Sequence, residues 1–201
     1  GSMTVTVSET STVKVSEAAS MLAGIVAKAA DRAYLFKFAT DVQAVRFSKT
    51  DTVLGIANKF DNNGVNGHNT NAWKIPGELT KLGLVPDRVI VLSDLQAWND
   101  GGSSGYGGYL AKVSEQKAMC DTWADYVAAS KEAKKTWLHC VHLNGYGDTP
   151  VDKGAHVNQV AGFSEKVFNM LLETEGVAQV DGGVEPVSIS TVEQIRLKFK
   201  L

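Results

Sequence analysis

The sequence contains little cysteine and no long run of apolar residues. Two cysteines, Cys120 and Cys140, are too few for the disulfide framework of a small secreted protein, and we expect both to be reduced, buried thiols. No stretch of about 18 apolar residues is present, so the sequence predicts no membrane-spanning helix. The first residues lack the charged and apolar regions of a signal peptide. We therefore expect a cytoplasmic protein.

The chain also lacks a strong excess of charge of either sign. Its formal net charge is −2, so the composition does not favour the non-specific phosphate binding that needs many basic residues. With 201 residues, of which 44% are hydrophobic, the chain is long enough for one substantial core and short for two. We predict a single domain over residues 1–201, with 176–201 as a C-terminal extension and Gly1-Ser2-Met3 as a tag scar followed by a start methionine.

Segments with helical periodicity alternate with short apolar segments along the chain. Val85–Leu92 ends in four consecutive apolar residues, which is typical of a strand buried on both faces of a parallel sheet. The alternation predicts an α/β fold of three layers, with a doubly wound, mostly parallel sheet and helices on both faces. Strands are predicted at Met3–Val7, Ala33–Ala39, Val42–Phe47, Val85–Leu92, Trp137–Leu143 and Val157–Gly162. Helices are predicted at Ser16–Ala30, with Ser16 as the N-cap, and at Thr52–Phe60, Ala72–Leu82, Ser114–Lys134 and Ser164–Glu173.

Polar loops in this arrangement meet at the carboxyl ends of the strands, where ligands bind in open α/β sheets. Asp94 follows one predicted strand end directly, and a hard cation such as Mg²⁺ binds a carboxylate together with hydroxyl groups. Thr70 and the cluster Ser8–Thr12 could supply those hydroxyls. The local pattern allows a structural interpretation equally well, in which Asp94 caps a turn and Thr70 caps the following helix.

Three longer segments carry a resemblance to a known family. They are GVNGHNTNAWKIPGEL, DRVIVLSDLQAW and LNGYGDTPVDKGAHVNQVAGFSEKVFNMLL, and the third is the most specific of them. Together they resemble the von Willebrand A-like domain of Ro autoantigen (TROVE) proteins and their bacterial and phage relatives, over roughly residues 60–175. The resemblance implies a metal-ion-dependent adhesion site, in which Thr70 and Asp94 match the second and third elements.

The first element of that site departs from the family pattern. Where the family has Asp-x-Ser-x-Ser, this sequence reads Ser8-x-Thr10-x-Thr12, with Glu9 one position on. Both hydroxyls are kept and the leading carboxylate is lost, so the affinity for a cation should fall. The resemblance still implies Mg²⁺ or Mn²⁺ as the cofactor. The residues expected to contact a partner around this site are Glu9, Asn69, Asn71, Gln96 and Trp98.

The resemblance implies a binding or assembly module and not an enzyme. We expect a protein partner whose acidic side chain completes the coordination of the ion. Ro proteins, by resemblance, are ring-shaped RNA-binding particles whose helical repeats carry most RNA contacts; those repeats are absent from this sequence, so RNA is expected only through a larger assembly. The alternative is a structural or self-assembling protein whose site has decayed and binds no metal. A hydrolase using Asp94 and a metal-bound water lacks a convincing general base near the site.

The histidines give no pattern for zinc. His68, His139, His142 and His156 have no close ligand spacing, and His139 and His142 are three apart on a predicted strand, so they should face opposite sides. We interpret these histidines as residues of the core or of the loop edge.

Overall fold

Three parallel strands form the centre of the fold. A computed structural model describes residues 2–7, 11–62, 70–93, 119–143, 151, 154–162 and 167–176. Its strands are β1 (Leu35–Phe38), β2 (Val42–Val45), β3 (Arg88–Ser93), β4 (Trp137–His142) and β5 (Val157–Ala161). Its helices are α1 (Val15–Ala29), α2 (Val53–Asn62), α3 (Lys74–Lys81), α4 (119–128) and α5 (Val167–Thr174). Two short 3₁₀ segments occur at Ser2–Thr4 and Ala133–Lys135.

The strands form two sheets within the described part of the chain. One is parallel in the order β3-β4-β5, and the other is the antiparallel pair β1-β2. Strand β4 is central and buried at five of its six positions, and the residues from Leu138 to Leu143 are apolar apart from His139 and His142.

Side chains of the parallel sheet alternate between two apolar clusters. On one face, Val91, Leu138 and Cys140 belong to a cluster completed by residues of α3 and α4. On the other face, Val141 and Val160 belong to a cluster completed by residues of α1 and α5. Successive strand residues point to opposite faces of the sheet. Since each face packs against helices, the sheet is covered on both sides. The predicted three-layer α/β architecture is confirmed.

Most predicted elements are present with shifted ends, and the first predicted strand is wrong. The predicted strand Met3–Val7 is replaced by a 3₁₀ segment and a single bridge between Thr6 and Lys14. The predicted helix Ser114–Lys134 ends at residue 128, and the chain continues into the turn at Ala133–Lys135. The predicted glycine-rich loop at 99–108 and the C-terminal extension from 177 lie outside the described residues.

The first helix begins one residue earlier than the sequence predicts. Ser16 is inside α1, so it is not the N-cap, and Lys14 occupies that position. The Glu17 carboxylate accepts a hydrogen bond of 2.8 Å from the Lys14 backbone N–H. A carboxylate in the first turn also favours the positive end of the helix dipole. The helix start is thus fixed by Glu17, which the N-cap prediction overlooked.

A buried polar network joins α5 to the amino ends of the parallel strands. Glu175, just after α5, accepts hydrogen bonds from the Arg88 guanidinium at 2.6 and 2.5 Å. Its Oε1 also lies 2.8 Å from His139 Nε2. Asn158 Nδ2 donates to His139 Nδ1 at 3.3 Å, so the network assigns the proton of the neutral ring to Nε2, which donates to Glu175. Burial lowers the pKa of His139, against the opposing effect of the Glu175 carboxylate.

The lowered pKa of His139 predicts a stability that falls with acidity. Below the ordinary pKa of 6.5, His139 of the unfolded chain binds a proton while His139 of the folded chain stays neutral. The free energy of unfolding should therefore decrease as the pH falls. The slope due to this group should be at most about 1.4 kcal/mol per pH unit. Urea unfolding from about pH 7.5 to about pH 5.5 measures it. His139→Gln should flatten the slope and His156→Asn should preserve it; an unchanged slope in His139→Gln would contradict the assignment.

The close contact of α1 with α2 predicts opposite effects for two glycine substitutions. A Cβ on Gly24 would lie 2.9 Å from the Val53 carbonyl oxygen and 3.3 Å from Val53 Cγ1, whereas a Cβ on Gly77 of α3 would meet nothing within 4 Å. Gly24→Ala should lower the free energy of unfolding by about 1–3 kcal/mol because the backbones must separate. Gly77→Ala should raise it by up to about 1 kcal/mol. Denaturant unfolding of both variants tests the packing, and equal effects would argue against it.

Candidate functional site

The three parallel strands end together at one edge of the sheet. Ser93, the last residue of β3, pairs with His142, the last residue of β4, and His142 pairs with Ala161 at the end of β5. The next backbone amides continue this register, since Leu143 N–H donates to the Ser93 carbonyl at 3.0 Å and Gly162 N–H donates to the His142 carbonyl at 2.7 Å. We call this edge, formed by Ser93, His142 and Ala161, the carboxyl edge.

Thr70 lies in a segment that is fixed against the β1-β2 turn. The neighbouring Asn71 donates its backbone N–H to the Ala39 carbonyl at 2.9 Å and its Nδ2 to the Thr40 carbonyl at 2.9 Å. Lys74 Nζ contacts the same Thr40 carbonyl and an Asp41 carboxylate oxygen, each at 2.6 Å. These contacts hold the backbone of residues 70–74 in place while the Thr70 side chain stays half-buried.

The alternative in which Thr70 caps the next helix is wrong. Helix α3 begins at Lys74, its N-cap position is Trp73, and no side chain caps it. Thr70 instead offers its backbone carbonyl to Ala72 N–H at 2.9 Å. Its hydroxyl is therefore not required for the helix start.

Asn71 has a different role from the predicted one. It was expected among the residues that contact a partner, but it is only 1% exposed. Its side-chain amide serves to attach the Thr70 segment to Thr40. A buried amide of this kind is a structural group, so the burial of Asn71 argues against the predicted partner contact at this residue.

The other predicted site residues are mostly beyond what the structure describes. Thr12 is exposed in the segment before α1, where the Ser11 hydroxyl accepts a hydrogen bond from Val13 N–H at 3.0 Å. No contact joins Thr12 to Thr70 among the interactions of the described residues. The predicted residues outside the described ranges are Ser8, Glu9, Thr10, Asn69, Asp94, Gln96 and Trp98. Within those ranges, no three histidine, cysteine or acidic residues form a group that could hold a metal.

His142 is a buried polar residue of the carboxyl edge, and sequence reasoning interpreted it only as a residue of the core or of the loop edge. It is 7% exposed, and neither Nδ1 nor Nε2 has a hydrogen-bond partner within the described part of the chain. Strand alternation places its side chain on the same face as Cys140, the face that α3 and α4 cover. The sequence signal was a histidine at the last position of a buried strand, which by itself is also compatible with a satisfied core residue.

The two cysteines do not provide a reactive thiol in the core. Burial raises the pKa of the Cys140 thiol to about 12, so it stays protonated and unreactive. Cys120 is half-buried, in contrast to the expectation that both thiols are buried, and neither forms a disulfide. A groove of about 470 Å³ lies beside Cys120, and its lining is apolar except for Lys134. Its titratable groups are the Cys120 thiol and the Lys134 ammonium.

Comparison with known proteins supports the fold described above. No protein-family model matches the sequence, and no curated protein matches it. Among solved structures, the crystal structure of the Ro (RSR) protein of Deinococcus radiodurans matches with a TM-score of 0.65 and 18% sequence identity. The chain shares the fold of part of a Ro protein. The match covers 89% of this chain and 33% of the Deinococcus chain, so the present chain spans about a third of that protein's length.

This likeness agrees with the resemblance carried by the three sequence segments, and at 18% identity it establishes the fold alone. The structure adds one further observation about the chain as a whole. No helix among the described residues is long and apolar enough to cross a membrane. The Ro-like fold and the carboxyl edge are therefore the two observations from which a function can be proposed.

Adjacent residues in the Thr70 segment should respond differently to substitution. Asn71→Ala removes a buried amide from the Thr40 carbonyl and should lower the free energy of unfolding by about 1–3 kcal/mol. Thr70→Val keeps the shape of the side chain and should change it by less than about 0.5 kcal/mol. Thermal and urea unfolding of the two variants measure the difference. If Thr70→Val costs as much as Asn71→Ala, Thr70 is a structural residue and not one reserved for binding.

Proposed function

We propose that this chain is a binding and assembly module of a Ro-like protein, and that it meets a protein partner at its carboxyl edge. The observation that carries the proposal is the likeness of the fold, over 89% of the chain, to part of the Deinococcus radiodurans Ro protein. In open α/β sheets, ligands bind beyond the carboxyl ends of the strands. The edge formed by Ser93, His142 and Ala161 is that location in this molecule.

The metal part of the proposal assigns Thr70 and Asp94 to one ion. Asp94 is the residue that follows Ser93, the last residue of β3, in the sequence. Thr70 is held by its neighbours Asn71 and Lys74 against the β1-β2 turn, with a hydroxyl that no helix cap requires. Thr70 and Asp94 would hold Mg²⁺ or Mn²⁺ through their side-chain oxygens, and an acidic side chain of the partner would add a further oxygen ligand.

The hydroxyls of Ser8, Thr10 and Thr12 complete the proposed ligand set. Ser8 stands where a second carboxylate would offset the charge of the ion, so the chain alone should bind the cation weakly. A partner carboxylate supplies the missing charge, which couples metal binding to partner binding. This coupling favours an adhesion role over turnover, because the acid of the partner occupies the position that a reacting water would need. RNA enters the proposal only through a larger assembly.

Calorimetric titration with Mg²⁺ and with Mn²⁺ tests the metal part. Asp94→Ala should lower the affinity at least tenfold, because it removes the remaining carboxylate from the site. Asp125→Ala is the matched control, since Asp125 is an exposed carboxylate on α4 and its loss should leave the heats unchanged. Free acetate present during the titration of metal-free protein should increase the apparent affinity for the ion by acting in place of the partner's acid. Identical heats for wild type and Asp94→Ala would contradict the assignment of the ion.

A structural or self-assembling protein without metal is the second candidate, and the serine at position 8 favours it. Light scattering across protein concentration, with EDTA and with Mn²⁺, separates the two. Assembly that requires Mn²⁺ and is lost in Asp94→Ala supports the adhesion site. Assembly that is unchanged by EDTA supports the second candidate.

A further inference from the structure

We propose that the groove beside Cys120 is a binding site for a small amphipathic carboxylate, with an apolar chain of about eight carbons that ends in an ionised acid group. The groove lies between α4 and the start of β5. Its lining includes none of the three residues of the carboxyl edge, so the inference goes beyond the proposed function. Its volume of about 470 Å³ is within the range of about 300–1,000 Å³ that is typical of small-molecule sites.

One wall of the groove is an apolar stripe on helix α4. Four residues at the spacing of one helical face form it: Cys120, Trp123, Ala124 and Val127. Trp123 is only 5% exposed and lies at the floor, whereas Ala124 is exposed at the rim. From Cys120 to Val127 the helix rises about 10 Å. An extended chain of about eight bonds has that length, which sets the size of the ligand.

The opposite wall is attached to the segment that carries Lys134. His156 follows the wall residues Gly154 and Ala155, and its Nδ1 donates to the Lys134 carbonyl at 2.8 Å. The His156 ring also packs against Trp137, with 4.8 Å between the ring centroids. Its φ of 63° lies in the left-handed region, which few residues other than glycine and asparagine adopt. Backbone strain of this kind is found mainly where the surrounding structure holds it, and often at ligand sites.

The charge of the groove selects an anion. Lys134 is the charged residue of the lining, and the ion pairs of the described residues do not include it. The segment 131–135 has three lysines and one glutamate, which give it a net charge of +2. The acidic residues Asp121 and Asp125 of α4 are exposed and do not line the groove. An apolar groove with a cation in its lining complements an apolar chain that carries one negative charge.

Titrations followed by nuclear magnetic resonance, with octanoate and with octylammonium as its charge-reversed counterpart, test the ligand class. At low salt, octylammonium should bind at least threefold more weakly than octanoate, and salt should reduce the difference because the charges are exposed. Hexanoate should bind about four- to fifteenfold more weakly than octanoate, since each buried methylene contributes a factor of about two to four. Equal affinities for octanoate and octylammonium at low salt, or no binding of octanoate, would overturn the inference.

A matched pair of substitutions on α4 tests the location. Ala124→Leu places a larger side chain in the groove and should weaken octanoate binding at least tenfold. Ala128→Leu makes the same change at the last residue of the same helix, outside the lining, and should leave the affinity within about twofold. Both alanines are exposed, so both variants should fold. If the two variants bind octanoate equally well, the ligand is bound elsewhere and the inference is wrong.

A second pair tests the role of the lysine. Lys134→Met keeps the apolar part of the side chain and removes its charge, so octanoate affinity should fall about three- to fivefold while octylammonium affinity should not fall. Lys81→Met is the control, because Lys81 is an exposed lysine of α3 and does not line the groove. A loss of octanoate affinity in Lys81→Met as large as that in Lys134→Met would show that only the overall charge matters.

The thiol of Cys120 reports which molecule occupies the groove. Iodoacetamide should modify Cys120 and spare Cys140, whose thiol stays buried and protonated. Saturating octanoate should slow the alkylation of Cys120 in wild type and leave the rate unchanged in Ala124→Leu. An alkylation rate that falls as the protein concentration rises, with no ligand present, would show that a second copy of the chain covers the groove and would overturn the inference.

Discussion

The described fold depends on the burial of strand β4 on all sides. It pairs with β3 along one edge and β5 along the other, and its side chains enter both apolar clusters. Every backbone polar group of such a strand must be paired within the sheet, because water cannot reach it. This requirement fixes the register of three strands at once, and with it the helices that cover each face. The last residues of the three strands pair with one another at the carboxyl edge, because that register leaves no offset between the strand ends.

The two buried histidines of β4 differ in their hydrogen bonding. Near the amino end, His139 is buried and both of its nitrogens are used, so Arg88, Glu175 and the end of α5 are joined to the sheet. At the carboxyl end, His142 is nearly as buried, and neither nitrogen has a partner among the described residues. A satisfied network adds rigidity to a fold, whereas an unsatisfied group lowers its stability unless a ligand completes it. Among the described residues, protein groups therefore satisfy the histidine near the amino end of the strand and leave the one at the carboxyl end unsatisfied.

The neighbours of Thr70 fix the position of the segment that contains it. Asn71 and Lys74 attach the backbone to the β1-β2 turn, and both converge on the Thr40 carbonyl. The threonine between the loop and α3 is thereby held without using its own hydroxyl. Loops that carry binding groups are commonly fixed in this way by a rigid scaffold. The likeness to part of a Ro protein at 18% identity shows a shared fold in which most aligned residues differ.

Periodicity in the sequence by itself determined the α/β class, the places of β3, β4 and β5 and the helices on both faces, because burial on one or two faces leaves a local pattern of apolar residues. It also marked Thr70 and Asp94 as candidates through a polar residue at a strand end and a resemblance to a family. The first predicted strand was wrong because alternating threonine and valine suit a strand only when a neighbouring strand is available to pair with it. Only the tertiary structure decided that Asn71 is a buried anchor, that Glu175 joins Arg88 to His139, and that His142 lacks a partner. Each of these depends on contacts between residues far apart in the chain, and no local pattern records such contacts.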